Sequence, residues 1–486
     1  MHRAHRQFDS LITETPMTAL EKRTVAALAG LYSFRMLGLF MVLPLLSLYG
    51  TKLAGSTAFL VGLALGAYGL TQAMLQIPLG MLSDRIGRVP VIVFGLALFG
   101  IGSLCAAQAE SIYGVIAGRL LQGAGAIAGT VMALLADLTS DRQRTKAMAA
   151  IGVSIGLSFA VALVLGPLLA ARGGLGLVFN VTAALAGLGI PIVLFAVPRA
   201  RRVRPARGET GTIPRLLSRS LLDPRLVRFN LGVFTLHLVL MALFLTIPPI
   251  MENQLGLHRD SHWKVYLAAV ALSVAGMVPL MVLAERGGRV RLAFLLALSM
   301  LLAALAGIGG GFGAIGFYGG LWLFFVGFNY LEASLPSLVS KTVRAGGKGT
   351  ALGIYATFQF LGAFVGGAGG GWLMEMYGAT GVFVLSGIAV AIWWLSSLAM
   401  KPPRDLVDLF VRLLVAWSRG VCARGALRGR RSVSGVVGDM ALPGRSRGLC
   451  FHGGARSAFR SVLARNAGWL PAFDVKRCRI CGAGLL

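Results

Sequence analysis

Twelve stretches of about twenty mostly apolar residues dominate this chain and dictate its architecture. They fall at about 25–49, 57–79, 90–108, 112–135, 146–170, 176–197, 229–251, 263–284, 291–309, 316–339, 350–375 and 379–399. A helix needs about 20 residues to cross a hydrocarbon core of roughly 30 Å. Inside that core each backbone N–H and C=O must be satisfied within its own segment, so runs of this kind must be helices. The 486 residues are 56% hydrophobic with a mean hydropathy of +0.77, in runs too long for a soluble protein. The expectation is an all-α membrane protein with twelve transmembrane helices.

The formal net charge of +28 is distributed unevenly. Alternate connections carry twenty Lys and Arg, nine of them between residues 199 and 228. The opposite connections carry four: Lys52, Arg172, Arg259 and Lys264. By the positive-inside rule the first set faces the cytoplasm, as do both termini. The first apolar run is too long for a cleaved signal peptide and lacks a small-residue cleavage site. Met17 opens Met-Thr-Ala-Leu-Glu-Lys-Arg just before the first span and reads as a natural start, with 1–16 an upstream extension. Of five cysteines only Cys105 lies among the spans, so no disulfide framework is expected there.

The pattern divides the chain into an N-terminal cytoplasmic segment (1–24), a first six-helix half (25–197), a basic linker (198–228), a second six-helix half (229–399) and a tail (400–486). The halves repeat. Asp84-Arg85-Ile86-Gly87-Arg88-Val89 corresponds to Glu285-Arg286-Gly287-Gly288-Arg289-Val290, each between the second and third spans of its half. In the linker, Ile213–Val227 interleaves Leu and Arg, as an interfacial amphipathic helix or a solvated connection would.

Ionisable residues inside spans are costly and are functional candidates by default. Four stand out: Arg35 in span 1, Arg119 in span 4, His237 in span 7 and Glu332 in span 10. Arg35 supplies an interior cation for an anion or a carboxylate, unless its long stem snorkels to an interface. Gln122 follows Arg119 by three residues, so both can face one path. Glu332 sits where lost hydration penalises its charge, so it can exchange a proton; the alternative is a permanent structural pair. His237 can titrate near neutrality or serve as a hydrogen-bonded packing residue. At the loop, Asp84 can meet the positive end of span 11 near Gly349, and Arg85 and Arg88 can pair with Asp137. Gly62, Gly66, Gly152, Gly156, Gly362, Gly366 and Gly370 mark close-packing or sliding faces.

Residues 80–88, Gly-Met-Leu-Ser-Asp-Arg-Ile-Gly-Arg, match the loop motif Gly-x-Leu-Ser-Asp-Arg-x-Gly-Arg at its expected topological place. On that loop the chain resembles the major facilitator superfamily, although Val89 stands where that family usually has Lys or Arg. Arg119-Leu120-Leu121-Gln122-Gly123 matches the family's span-4 motif Arg-x-x-Gln-Gly, which implies proton coupling. Gly166-Pro167 partly matches its antiporter motif, and further runs resemble the drug:proton antiporter branch. The resemblance covers roughly residues 20–402. It implies two six-helix halves with the substrate site between them near the midplane. It also implies that Gly80, Asp84, Arg85, Gly87, Arg88 and Asp137 form a conformational switch, in which Asp84 favours the outward-facing state. Glu285, Arg286 and Arg289 form its second-half counterpart.

Residues 401–486 differ in kind. They carry a net +12 and four of the five cysteines, with no Glu, Thr, Gln or Tyr. This reads as GC-rich DNA translated out of frame rather than as a basic nucleic-acid arm. The small ferredoxin-like domain found after span 12 in some members of this branch is not recognisable there. Cys478-x-x-Cys481, with Cys450 and His452, lacks a second zinc-type pair, and no metal is expected.

The expected function is proton-coupled efflux of a small compound by alternating access in a bacterial inner membrane, by a monomer. Its partners are substrate, protons and the bilayer. No nucleic acid or cofactor is expected, and no ATP-binding Gly-x4-Gly-Lys-Ser/Thr loop is present. The alternatives are a proton symporter for uptake of a sugar or other metabolite, and a regulatory binding protein acting through the tail. No motif supports enzyme chemistry.

Overall fold

The computed structural model describes residues 17–198, 221–285, 289–343 and 348–400. These form helices α1 (Ala19–Tyr49), α2 (Ala58–Ile86), α3 (Arg88–Ala107), α4 (Ile112–Ala124), α5 (Ala128–Leu138), α6 (Asp141–Pro191), α7 (Pro224–Asn253), α8 (His262–Glu285), α9 (Val290–Gly309), α10 (Gly313–Thr342) and α11 (Lys348–Ser397). Among the described residues ten helical segments are long and apolar enough to cross a membrane, with α4 and α5 forming one of them. Arg286, most of the linker and the tail lie outside the described residues.

Two helices are too long for a single crossing. A straight helix of 50 residues would measure about 75 Å, more than twice the hydrocarbon thickness. α6 breaks at Gly173 and Gly174, and α11 at Gly378. Gly174 and Gly378 have φ of +63° and +64°, where a Cβ is strained.

α1 begins at Ala19, before the apolar run itself, because Thr18 and Glu21 make a reciprocal capping box. Glu21 does more than cap. Its Oε1 accepts from the Ser140 amide (2.9 Å) and hydroxyl (2.8 Å), just ahead of α6. Two residues on, Arg23 donates to the carbonyls of Phe195 and Ala196, where the 141–196 helical stretch ends. A carboxylate at a helix start and a cation at a helix end both suit the macrodipole. Together they tie the beginning of α1 to both ends of the 141–196 helical stretch. α7 likewise begins inside the expected linker, with Asp223 capping Arg225 N–H and Pro224 at its first position.

Two ends of the bundle can be named by their residues. At the Asp84 end lie the α2–α3 loop, the start of α1 and the α5–α6 junction. At the Glu375 end, Ala54 bridges to the 110–112 turn, and the two halves of the chain meet. Arg259 sits 5.5 Å above the Tyr49 ring while bonding Glu252 at 2.8 Å. Glu375 accepts a 2.8 Å bond from the Phe59 amide in the first turn of α2. Pro44, Leu48, Tyr49 and Pro167 face Arg259, His262 and Tyr266 across a void of only about 10 Å³.

α2 and α11 pack closely along much of their length. A Cβ on Gly66 would lie 2.7 Å from the Phe364 carbonyl oxygen, and one on Gly371 would lie 2.8 Å from that of Ala58. Gly362 and Gly366 pack as closely against α7. Gly152 and Gly156 do not follow the packing expectation: a Cβ at either meets nothing within 4 Å, and the same is true of Gly353.

Candidate functional site

The four ionisable residues singled out inside the spans fall in two clusters, one in each half. In the first half Arg35 and Arg119 are both buried, at 1% exposure. Arg35 therefore does not snorkel. Its Nη2 donates to Tyr68 Oη (2.7 Å), Gln72 Oε1 (2.8 Å) and Gly125 O (3.3 Å). The last bond has a local cause. α4 stops at Gly125, where close approach to α3 leaves no room for a Cβ, and the carbonyl freed by that break takes a cation. Arg35 Nε and Nη1 have no hydrogen-bond partner.

Arg119 is more completely held. It donates to Ala64 O (3.2 Å), Leu65 O (3.2 Å) and Gln122 Oε1 (2.9 Å), and Gln122 passes the chain on to Ser103 (2.7 Å). The spacing places Arg119 and Gln122 on one face, and in the structure the two side chains are bonded directly. Both guanidinium groups lie near Tyr68, at 5.9 and 5.2 Å from its ring centroid.

The second cluster joins three helices. His237 of α7 and Glu332 of α10 approach to 3.9 Å, Nε2 to Oε2. Gln359 of α11 lies between them, its Nε2 at 2.8 Å from His237 Nε2 and 3.1 Å from Glu332 Oε1. His237 Nδ1 sits 3.2 Å from the Val233 carbonyl, which can only accept, so Nδ1 carries the hydrogen. In the neutral ring Nε2 is then an acceptor, and the two amide hydrogens of Gln359 are shared between the ring and the carboxylate. Glu332 Oε2 is buried and unbonded, while the side chain as a whole is 35% exposed.

An aromatic layer lies on the Glu375 side of this cluster. Phe159 of α6 packs against Phe244 of α7 (6.3 Å) and Phe325 of α10 (6.1 Å), across the two halves. Phe244 and Phe325 stand seven residues from His237 and Glu332, about 10 Å along each helix. The clusters do not touch directly. They are linked through α11, where Tyr68 meets Phe360 edge-on at 6.0 Å and Gln72 bonds Gln76, which reaches Gly353 O at 3.5 Å.

At the loop, Arg88 pairs with Asp84, donates to Ser83 Oγ (2.7 Å) and reaches Asp137 Oδ2 (3.2 Å). Of the two expected arginines, Arg88 makes the Asp137 contact, and Arg85 is exposed. Gly87 has φ +107°, a conformation that requires glycine, whereas a Cβ on Gly80 would meet nothing. The second-half counterpart is split between Glu285 at the end of α8 and Arg289 ahead of α9.

A sequence profile of the Major Facilitator Superfamily matches residues 28–367. The chain belongs to the major facilitator superfamily. It is accordingly a transporter of small molecules and not an enzyme. It is 44% identical over 400 residues to the inner membrane transport protein YajR of Escherichia coli, spanning 82% of this chain and 87% of that one. It is 28% identical over 356 residues to the multidrug resistance protein MdtH of Aeromonas hydrophila, spanning 70% and 84%. The crystal structure of a mutant of the nucleoside transporter NupG shares the fold, with a TM-score of 0.63 at 14% identity, over 77% of this chain and 99% of that one.

Gln359, Gln72, Gln76 and Glu375 were not singled out from sequence. Gln72 and Gln76 carry a readable signal, two amides one turn apart in an apolar span. Gln359 does not, since its importance depends on which residues α7 and α10 bring to it.

Proposed function

We propose that the chain exports a small compound in exchange for protons across a bacterial inner membrane, by alternating access. The observation that carries this reading is Glu332, a carboxylate on a partly exposed side chain whose Oε2 is buried and unbonded, sharing an amide with a histidine deep in the second half. A site that must load and unload a proton needs this combination of access and an alternative partner. Each proton descending 100 mV supplies about 2.3 kcal/mol. The likeness to multidrug resistance proteins supports export over uptake.

In this reading α6 and α11 each cross twice, turning at Gly174 and Gly378, which makes twelve passages with both termini in the cytoplasm. The Asp84 end is cytoplasmic. We read the structure as the inward-open state, because contacts across the halves and the aromatic layer close the Glu375 end. Glu375 holds the first turn of α2 in this state. Asp84 holds the start of α11 in the opposite one, so the α2–α11 pair carries an acidic latch at each end.

The test is transport of a compound panel in inside-out vesicles, with and without an imposed pH gradient. Accumulation that requires an acidic lumen supports exchange. Uptake that is independent of the gradient, or driven in the opposite sense, overturns it.

A further inference from the structure

The hydrogen-bond pattern around Gln359 distinguishes two places where a proton can land. Glu332 Oε2 is unbonded. A proton arriving there leaves Oε1 accepting from Gln359 and the His237 contact intact, so nothing has to move. A proton arriving at His237 has only the Nε2 lone pair to bind, because Nδ1 already carries a hydrogen toward Val233 O. Nε2 then becomes a donor, 2.8 Å from an amide nitrogen that is also a donor. That contact cannot survive. The new N–H has a ready acceptor in Glu332 Oε2, 3.9 Å away, so an approach of about 1 Å closes a charged hydrogen bond.

The mechanical consequence differs accordingly. His237 and Glu332 sit on α7 and α10, and Gln359 sits on α11, the helix that the first half grips through Gly66 and Gly371. With His237 neutral, the amide ties α11 to both neighbours. With His237 protonated, α7 and α10 pair with each other, and the Gln359 amide loses its tie to α7 and keeps only Glu332 Oε1. The titratable groups facing the cluster are His237 from α7, Glu332 from α10 and, one turn before Gln359, buried Tyr355 from α11, whose hydroxyl has no hydrogen-bond partner.

We infer that Gln359 is the positioning residue that locks the proton-free, empty carrier in place, and that protonation of His237 at Nε2 opens the lock. An exchanger must not cross empty, or its two gradients run down independently. The bridge supplies a physical reason why this one does not. The inference rests on the reading that the His237–Glu332 pair carries the coupling proton.

The experiment places spin labels at Tyr113 and Ile315, exposed positions at the Glu375 end of the two halves, in full-length protein with its native cysteines replaced. Interlabel distances are recorded in nanodiscs from pH 5 to pH 9 without substrate. Wild type should show one short distance at high pH and a second, longer population at low pH. Gln359→Leu should show both populations at every pH. In proteoliposomes it should lose gradient-driven accumulation at least tenfold while downhill flux is kept or raised. Gln359→Met, similar in length and without the amide, serves if the leucine variant does not fold. A Gln359 variant that keeps the wild-type pH response overturns the inference and leaves proton coupling standing. A wild type whose distances ignore pH overturns the inference as well, while proton coupling at Glu332 stands or falls by the gradient-driven transport of the same wild-type protein.

Discussion

Gly371→Ala should push the carrier out of the state described here. Residue 371 lies where α11 meets the first turns of α2, and a Cβ there would sit 2.8 Å from Ala58 O, 2.9 Å from Gly62 Cα and 3.0 Å from Phe59 O. All three are backbone atoms, so no side chain can swing away. Ordinary contact begins near 3.4 Å, so the helices must separate by about half an ångström. Overpacking of this kind costs about 1–3 kcal/mol. The gain in helix propensity, up to about 1 kcal/mol, is shared by every state in which α11 is helical and cancels. The cost falls on the state in which the halves touch at this end. A bias of 1–3 kcal/mol moves a two-state equilibrium by about 5- to 150-fold. Spin labels at Tyr113 and Ile315 should therefore report a dominant longer distance. Gly387→Ala is the control, since a Cβ there meets nothing within 4 Å on the same helix. A folded Gly371→Ala protein with the wild-type distance distribution would refute the claim that this packing holds the closed end.

Glu375→Leu removes a charged acceptor from the start of α2; because the site is exposed, the same distances should shift in the same direction by only two- to five-fold. Asp84→Asn should move the population the other way, toward opening at the Asp84 end, by about five-fold, and labels that show no change there would count against the latch. Arg35→Met removes a buried cation with two unpartnered nitrogens. Its melting temperature should hold or rise, the gain reaching about 2 kcal/mol, while transport falls. A large loss of stability would instead make Arg35 a structural cap for Gly125.

The helical content of this fold was legible because lipid removes other options: an apolar run of twenty residues has to be a helix. The turning points were less so. Gly173-Gly174 divided two apolar runs visibly, but the interruption of span 4 at Gly125 did not show. It depends on α3 approaching so closely that Gly95 takes the space of a Cβ. Candidate site residues were legible where charge made them conspicuous. Arg35, Arg119, His237 and Glu332 stood out against apolar neighbours, and all four are paired through hydrogen bonds. How they pair was not legible. The two arginines share a tyrosine rather than a carboxylate, and the histidine and glutamate share a glutamine, because the partners come from other helices. Gln359, a lone neutral amide, attracts no notice in sequence, although it makes the link between His237 and Glu332.

The central claim is that Glu332 is part of the proton path. The most direct measurement is substrate accumulation driven by a pH gradient in proteoliposomes of purified wild type and Glu332→Gln, with substrate counterflow at equal pH as the control for folding. The account predicts that Glu332→Gln loses gradient-driven accumulation and retains counterflow. Full gradient-driven accumulation by the variant would contradict it.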